Sequence, residues 1–388
     1  MKILITGAYG FIGKNLAAEL RNQQDNDILE CGRNTTFEEL DEYLRRCDFI
    51  FHLAGENRPT EDSMYMEGNV GFLKKILERL KYHENPCPIV LASSIQAELK
   101  NPYGLSKAAA EKMLIEYAGV MKADIMIYRF PNVFGKWSRP NYNSVIATFC
   151  YNIPRGIPIT VNEPEKQLKL VYIDELIHEL ISAMRENPSR IEKKCADSII
   201  LDRQGRHVSA YCEVRQVYYQ RVGKIAELIK SFVEMRINKG VPDMSDDFTK
   251  RLYSTYLSFL PEDGFVYPLK MNVDARGSFT EFIRTRENGQ ISVNISNPGV
   301  AKGNHWHHTK NEKFLVVAGE GLICLRKVGT KEIIKIYVSG EKLEVVDIPC
   351  GYTHSLINIG NTQMVTIIWA NEVFNPDMPD TYYMPVEE

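Results

Sequence analysis

The chain has 388 residues, a formal net charge of −3, 25% charged residues and 44% hydrophobic residues. That length exceeds one ordinary core, so two domains are expected, and the interspersed charges offer no electrostatic footprint for nucleic acid or a membrane surface as partner. Cys31, Cys47, Cys87, Cys150, Cys195, Cys212, Cys324 and Cys350 form no CxxC pair, no secretory signal precedes the first strand, and no apolar run approaches the ~18 residues that cross a bilayer, so a soluble protein of the reducing cytoplasm is expected.

Lys2 to Thr6 is a short apolar run ending in glycines, and Lys14 to Arg21 carries helical periodicity, so the chain opens strand, turn, helix. Further strands are expected at Asp27 to Cys31, Phe49 to Ala54, Ile89 to Ser93 and Ile125 to Arg129, with helical patterns between them. This alternation predicts an α/β domain with a doubly wound parallel sheet of the Rossmann type. Helical stretches continue through Ile173 to Met184 and Tyr219 to Ile237, and Gly240-Val241-Pro242-Asp243 then breaks the pattern. From about Tyr267 the texture changes to short β-rich runs at Ile291 to Ile295, Lys313 to Val317, Gly321 to Arg326, Ile333 to Val338, Glu344 to Ile348 and Met364 to Trp369. Their regular spacing suggests an all-β sandwich or jelly roll. The expected domains are therefore residues 1–245 and 267–388, joined by a linker at 246–266.

Gly7-Ala8-Tyr9-Gly10-Phe11-Ile12-Gly13 lies between the first strand and helix, where glycines permit a tight turn and let pyrophosphate approach backbone N–H groups at a helix N-terminus. Alone this is a weak signal. Asp48 and the strand end His52-Leu53-Ala54-Gly55 add a place where small residues let a cofactor lie against the sheet. Gly7, Gly10, Phe11, Ile12, Gly13, Asp48, Leu53, Ala54 and Gly55 are the cofactor-binding candidates. Ser93-Ser94 ends the next strand. Tyr103 and Lys107 stand four apart on a helix and so share a face, where an ammonium would lower the phenol pKa toward general acid–base use.

These motifs together resemble the extended short-chain dehydrogenase/reductase superfamily, which acts mostly on nucleotide-activated sugars, over roughly residues 1 to 240. The resemblance implies that Ser94 and Tyr103 hydrogen-bond the reacting oxygen, that Lys107 holds the nicotinamide ribose, and that Asn132, in Arg129-Phe130-Pro131-Asn132-Val133-Phe134-Gly135, approaches the sugar nucleotide. At the tip of the second strand, Cys31-Gly32-Arg33 offers a cation where a 2′-phosphate would sit, so NADPH is expected over NADH, with Glu30 close by as the competing acid.

In the second domain His305 and His307 are two apart, so on a strand both rings project to one face. With Glu312 and His354 they form a set suited to zinc, iron, manganese or nickel. Gly299, His305, His307, Glu312 and Gly319, then Pro349, Gly351, His354 and Asn358, resemble the two motifs of the cupin superfamily, with Leu343 where the second motif would open on glycine. A narrower resemblance, in Asp274 to Glu281, Lys302-Gly303 and His305, is to nucleotide-sugar 3,5-epimerases. It implies that Arg276 and Lys302 bind substrate and that His305 is the catalytic base. Those epimerases typically lack the second histidine, so here His305 is either ligand or base. In the first case a metal polarises the 4-keto oxygen while His308 or Tyr352 moves protons; in the second the metal is structural or opportunistic. Zinc is the expected metal.

Epimerisation at C3 needs a 4-keto neighbour, and a 4-keto sugar is also a substrate for Tyr103 and a nicotinamide hydride. With Trp137 to Tyr151 reading WSRPNYNSVIATFCY and Gly303 to Val317 reading GNHWHHTKNEKFLVV, the chain resembles bifunctional capsular polysaccharide enzymes over essentially its whole length. The resemblance implies a cytoplasmic homodimer that inverts C3 of a UDP-2-acetamido-2,6-dideoxy-4-hexulose and then reduces C4 to give UDP-N-acetyl-6-deoxy-L-talosamine. Two rival readings are a single-function 4-epimerase with a non-catalytic second domain, and a non-enzymatic NADP(H) sensor.

Overall fold

The computed structural model describes every residue except 24, 25, 186, 187, 192–197, 286, 288 and 388, so Cys195 lies outside the described residues. The chain divides into two compact units, Met1–Ile229 with Asp246–Pro261, and Lys230–Ser245 with Glu262–Glu388.

The first unit opens with β1 (Lys2–Thr6), α1 (Phe11–Asn22), β2 (Asp27–Cys31), α2 (Phe37–Arg46) and β3 (Phe49–His52). A short helix α3 (Ser63–Met66) leads into α4 (Phe72–Tyr82), followed by β4 (Ile89–Ser94), α5 (Pro102–Met121), β5 (Ile125–Phe130) and β6 (Asn132–Phe134). Then come α6 (Val145–Asn152), β7 (Gln167–Tyr172), α7 (Ile173–Met184), β8 (Ile199–Leu201), β9 (His207–Ser209), β10 (Tyr211–Cys212), β11 (Tyr218–Arg221), α8 (Val222–Asn238) and α9 (Asp247–Ser258). The strands of the main sheet run in the order β10-β5-β4-β3-β1-β2, every pair parallel. Phe49, Ile50 and Phe51 are all fully buried, as the continuous apolar run of a sheet covered on both faces requires. Because β2 and β3 lie on opposite sides of β1, the chain switches direction there, and the crevice beyond the carboxyl ends of β1 and β3 is where such sheets bind ligands.

Two helix starts show how local sequence fixes these elements. Thr36 accepts from the Glu39 N–H while the Glu39 carboxylate accepts from the Thr36 N–H, a capping box that starts α2. Asn101 accepts from the Gly104 N–H with Pro102 in the first turn of α5, so the helix carrying Tyr103 and Lys107 has a fixed beginning.

The stretch expected as a linker differs in the structure. Residues 247–258 form α9, capped by Asp246 onto the Thr249 N–H, with Phe248, Leu252 and Tyr256 buried. Phe248 packs against Phe134 and Tyr218, and Arg251 pairs with Glu175, so this helix belongs to the first unit. Tyr219 to Arg221, expected as helix, pairs instead with β7 as β11, and α8 begins at Val222. The unit boundary falls within α8, and beyond its end the Lys239 carbonyl accepts from the Arg284 N–H of the second unit's own sheet.

The second unit contains β12 (Asn272–Asp274), β13 (Gly277–Thr285), β14 (Gly289–Ser296), β15 (Ala301–Trp306), β16 (Glu312–Ala318) and β17 (Glu320–Lys327). It continues with β18 (Ile333–Ser339), β19 (Val345–Ile348), β20 (Tyr352–Asn358), β21 (Met364–Ala370) and β22 (Tyr382–Tyr383). Two antiparallel sheets, β12-β13-β14-β21-β16-β19 and β18-β17-β20-β15-β22, give the expected all-β fold. Phe314, Val316, Ile323, Leu325, Val338, Val346, Ile348, Leu356 and Met364 form its core.

Candidate functional sites

A cavity of about 1380 Å³ opens at the switch point of the first unit. Gly7, at φ +71°, makes the turn after β1, and a Cβ there would sit 2.8 Å from the Ala54 nitrogen. A Cβ on Gly13 would stand 2.2 Å from the Gly7 carbonyl oxygen, so α1 approaches the turn only because this position has no side chain. Gly10, Phe11 and Ile12 line the cavity with them, as do Leu53, Ala54 and Gly55 from the end of β3.

Asp48 is a correction. It precedes β3 at the opposite end of the sheet, its carboxylate accepts from the Lys2 N–H at 2.6 Å, and it is not among the residues around the cavity. Its spacing from Gly55 spans the whole of β3, which puts the two at opposite ends of that strand. At the tip of β2, Glu30 pairs with Arg21 of α1, whereas Arg33 lines the cavity, is 93% exposed in its side chain and has Glu56 as an ion-pair partner at 3.6 Å.

Ser94, Tyr103 and Lys107 converge on this cavity. Ser93 is buried and donates to Glu111 at 2.5 Å, while Ser94 is half-buried and hydrogen-bonds Tyr103, so the two serines are held apart in role by one residue of register. Lys107 is buried and donates to the Ala92 carbonyl at 3.1 Å. Burial pushes its ammonium down to about 8, with the Glu111 charge opposing. The expected depression of the Tyr103 phenol is not what the structure shows. Burial raises it, the Ser94 hydrogen bond pulls the other way, and Lys107, 5.8 Å from the ring centre and tied to a backbone carbonyl, does not offset the desolvation. Asn132 is exposed, donates to the Lys169 carbonyl at 3.3 Å and lines the same cavity.

Two residues of this site went unread in the sequence. Glu111, one turn beyond Lys107, is 2% exposed and accepts from Ser93, Arg129 and Tyr211, joining α5 to β4, β5 and β10. Its i+4 spacing from Lys107 was the available signal. Asn69 is also buried, donates to Ser106 at 2.9 Å and accepts from the Glu56 N–H, bracing the wall beside Gly55.

In the second unit, His305, His307, Glu312 and His354 each offer a ligand atom, all within 4.8 Å of one another. A bulge makes this possible. The register of β15 on β20 shifts between Gly303 and His305, with Asn304 at φ +57°, so that His305 comes directly opposite His354. Glu312 arrives from the other sheet at the start of β16, 3.5 Å from His307 Nε2 and 3.4 Å from His354 Nε2. His307 Nε2 and Glu312 Oε2 are buried without a hydrogen-bond partner among the described residues, an arrangement that favours a bound cation over an empty polar pocket. Burial, reinforced by the His354 charge, pushes the His305 imidazole down to about 4, leaving it neutral and able to ligate. Burial would raise Glu312, but the His307 and His354 rings beside it outweigh that and favour the ionised carboxylate. Three nitrogens and one carboxylate fit zinc, among other divalent transition metals.

The remaining candidates lie around this cluster. Lys302, also on β15, donates to Asn294 Oδ1 at 2.9 Å and to the Ile295 carbonyl at 2.8 Å, so its ammonium is largely committed within the protein. Arg276 is held by Asp274 at 2.6 Å in the exposed turn between β12 and β13, and Asp274 and Arg276 both act electrostatically on Lys302. Tyr352 shares the His354 face of β20, two residues away. His308 meets Trp306 and Tyr382 edge to face, at ring-centre distances of 4.5 and 5.0 Å.

Known proteins bear on both units. Residues 3–194 match the NAD dependent epimerase/dehydratase family and residues 272–382 the polysaccharide biosynthesis C-terminal domain. The UDP-2-acetamido-2,6-beta-L-arabino-hexul-4-ose reductase of Pseudomonas aeruginosa is 40% identical over 388 residues, covering all of both chains. The capsular polysaccharide assembling protein CapF of Staphylococcus aureus superposes with a TM-score of 0.91 at 50% identity, covering 99% of this chain and 100% of its own. A second CapF structure, with the inhibitor 3-isopropenyl-tropolone, gives 0.86 at 46% over the same shares. An epimerase/dehydratase-type parallel-sheet unit followed by an antiparallel polysaccharide-synthesis unit, alike end to end with these relatives, makes the chain a member of the CapF-type family of UDP-sugar hexulose reductases.

Proposed function

We propose that the chain carries out two consecutive steps on one nucleotide sugar. The second unit inverts C3 of a UDP-2-acetamido-2,6-dideoxy-4-hexulose, and the first reduces C4 to give UDP-N-acetyl-6-deoxy-L-talosamine for capsule or O-antigen synthesis. The observation that carries this is the presence of two separately assembled sites, Ser94–Tyr103–Lys107 at the cavity and the His/Glu cluster in the antiparallel unit. A cytoplasmic homodimer is part of the proposal, on the strength of the family.

In the first unit Tyr103 gives its proton to the C4 oxygen as that oxygen gains charge, Ser94 donates a second hydrogen bond to it, and the Lys107 ammonium binds the ribose and stabilises the phenolate that remains. Asn132 contacts the sugar nucleotide. The backbone N–H groups at the start of α1 receive pyrophosphate, and Arg33 receives the 2′-phosphate that distinguishes NADPH. In the second unit His305, His307, Glu312 and His354 would hold the metal, and Tyr352 moves the C3 proton. Arg276 contacts the substrate, and Lys302 orients the strand beside it. When bound, NADPH supplies a hydride and zinc a Lewis acid for the 4-keto oxygen. The tropolone inhibitor of the CapF relative carries an adjacent carbonyl and hydroxyl, a pair suited to chelating a metal.

Incubation with the 4-keto sugar in deuterated buffer tests the reading. Deuterium should enter C3 without NADPH, and absence of exchange would sink the epimerase half. Tyr103→Phe should keep exchange while reduction falls by about 10²–10⁴-fold; unimpaired reduction would refute its role. His305→Ala should lose exchange together with metal.

A further inference from the structure

In the C-terminal segment of the second unit, Asp380 makes the shortest contact with His307, whose Nδ1 also has the Thr381 hydroxyl at 3.5 Å. The Asp380 backbone carbonyl lies 2.6 Å from His307 Nδ1, and its carboxylate accepts from the N–H groups of His308, Thr309 and Lys310 at 2.9, 2.8 and 2.9 Å. It also accepts from the Thr309 hydroxyl at 3.1 Å. Asp380 therefore holds both the ring of His307 and the three residues that follow it, while its own backbone sits at φ +38°, a conformation costly for a residue with a side chain.

The rest of the tail is fixed independently. Tyr382 and Tyr383 pair with Trp306 and His305 as β22, the Val386 N–H donates to Asn304 Oδ1, and the buried Arg326 donates to the Val386 and Pro385 carbonyls at 2.8 and 2.7 Å. With residues 382–386 anchored on one side and the loop 308–310 on the other, Asp380 has little freedom, which explains how its strained backbone persists.

A carbonyl oxygen only accepts, so the contact at 2.6 Å requires the proton of His307 to be on Nδ1. In the neutral ring that choice leaves Nε2 as the lone-pair nitrogen, and Nε2 is the buried atom that faces Glu312 at 3.5 Å without a hydrogen-bond partner among the described residues. Ligand histidines commonly have their tautomer set in this way by the group on the far nitrogen.

We infer that Asp380 is a positioning residue of the metal site, fixing the tautomer and ring orientation of His307 so that its Nε2 joins His305, Glu312 and His354 as a ligand. The inference rests on the metal-bound reading of the second unit and names a determinant of it, more than 70 residues distant in sequence from His307, that lies outside the four-ligand set.

Zinc affinity of the full-length chain, measured by competition with a chromogenic chelator, tests it. Asp380→Ala should bind zinc roughly 10- to 100-fold more weakly than the wild type. Tyr383→Ala, altering an exposed ring on the same tail, should leave affinity unchanged. Cobalt substituted for zinc should show altered visible absorption in Asp380→Ala only. Equal zinc affinity in Asp380→Ala and wild type overturns the inference while leaving the metal reading intact; a wild-type chain that takes up no zinc overturns the metal reading and the inference with it. If Asp380→Ala does not fold, the ¹⁵N shifts of His307 in the metal-free wild type decide. A proton on Nδ1 is expected, and a proton on Nε2 overturns the assignment.

Discussion

Two side chains of the first site, Lys107 and Arg33, and a third that the fold carries away from it, Asp48, show how far neighbouring groups alter an individual residue. Lys107 was legible as an ammonium from its type, yet only burial against the Ala92 carbonyl brings it down to about 8. The folded value lies below that of an exposed lysine, so the folded state binds fewer protons between about pH 8 and 10.5. Over that window the contribution of Lys107 to stability rises with pH, while its ability to serve as an ammonium is lost. We therefore expect kcat/KM for reduction to fall as pH passes about 8. Arg33 gives a second residue-scale prediction. Arg33→Ala should raise the KM for NADPH about 10- to 100-fold, the worth of a charge-assisted hydrogen bond, and leave that for NADH nearly unchanged; equal effects on the two nucleotides would dismiss the 2′-phosphate role. Asp48 teaches the converse. An acid near a cofactor motif in sequence read as a ligand, but the four residues of β3 carried it to the opposite end of the sheet.

Between elements, the governing feature is a buried carboxylate. Glu111 ties α5 to β4, β5 and β10, and through them places Ser93, Ser94 and Lys107 relative to one another. Glu111→Ala should destabilise the first unit by about 3–5 kcal/mol in chemical denaturation, since it leaves the Arg129 guanidinium without its buried partner. The milder Glu111→Gln should move the alkaline limb of the reduction profile to lower pH, because the carboxylate charge raises Lys107. A limb unmoved in a folded variant would refute that coupling. Element boundaries were legible where apolar pattern and turn residues agreed, as for Ile173–Met184, whose ends match the sequence reading. They were missed where a nearby breaker dominated. Phe248, Leu252 and Tyr256 recur every four residues, a helical stripe, but the Gly240 to Asp243 break drew the whole stretch into a supposed linker.

For the whole molecule, two units with separate cores, each with its own proposed ligand, should respond separately to those ligands. Calorimetry should show one unfolding transition that shifts with NADPH and another that shifts with zinc and falls on chelation. Ligand at a hundred times its dissociation constant contributes about 2.7 kcal/mol to the unit that binds it. A chelator that moved neither transition would count against a metal in the folded second unit. The same independence predicts that Tyr103→Phe leaves the chelator-sensitive transition in place.

The sequence by itself determined the two fold classes, the Gly-rich turn and the identities of the candidate donors, because periodicity, glycine and ligand chemistry are local properties of the chain. Tertiary structure alone decided which atoms meet. The bulge at Asn304 turned His305 toward His354, the β15 exit set His308 edge to face with Trp306, and Asp380 reached back more than 70 residues to His307. Register, strand direction and the pairing of distant segments are cooperative outcomes of packing. A spacing in sequence can propose such a meeting, and only the folded chain can make it.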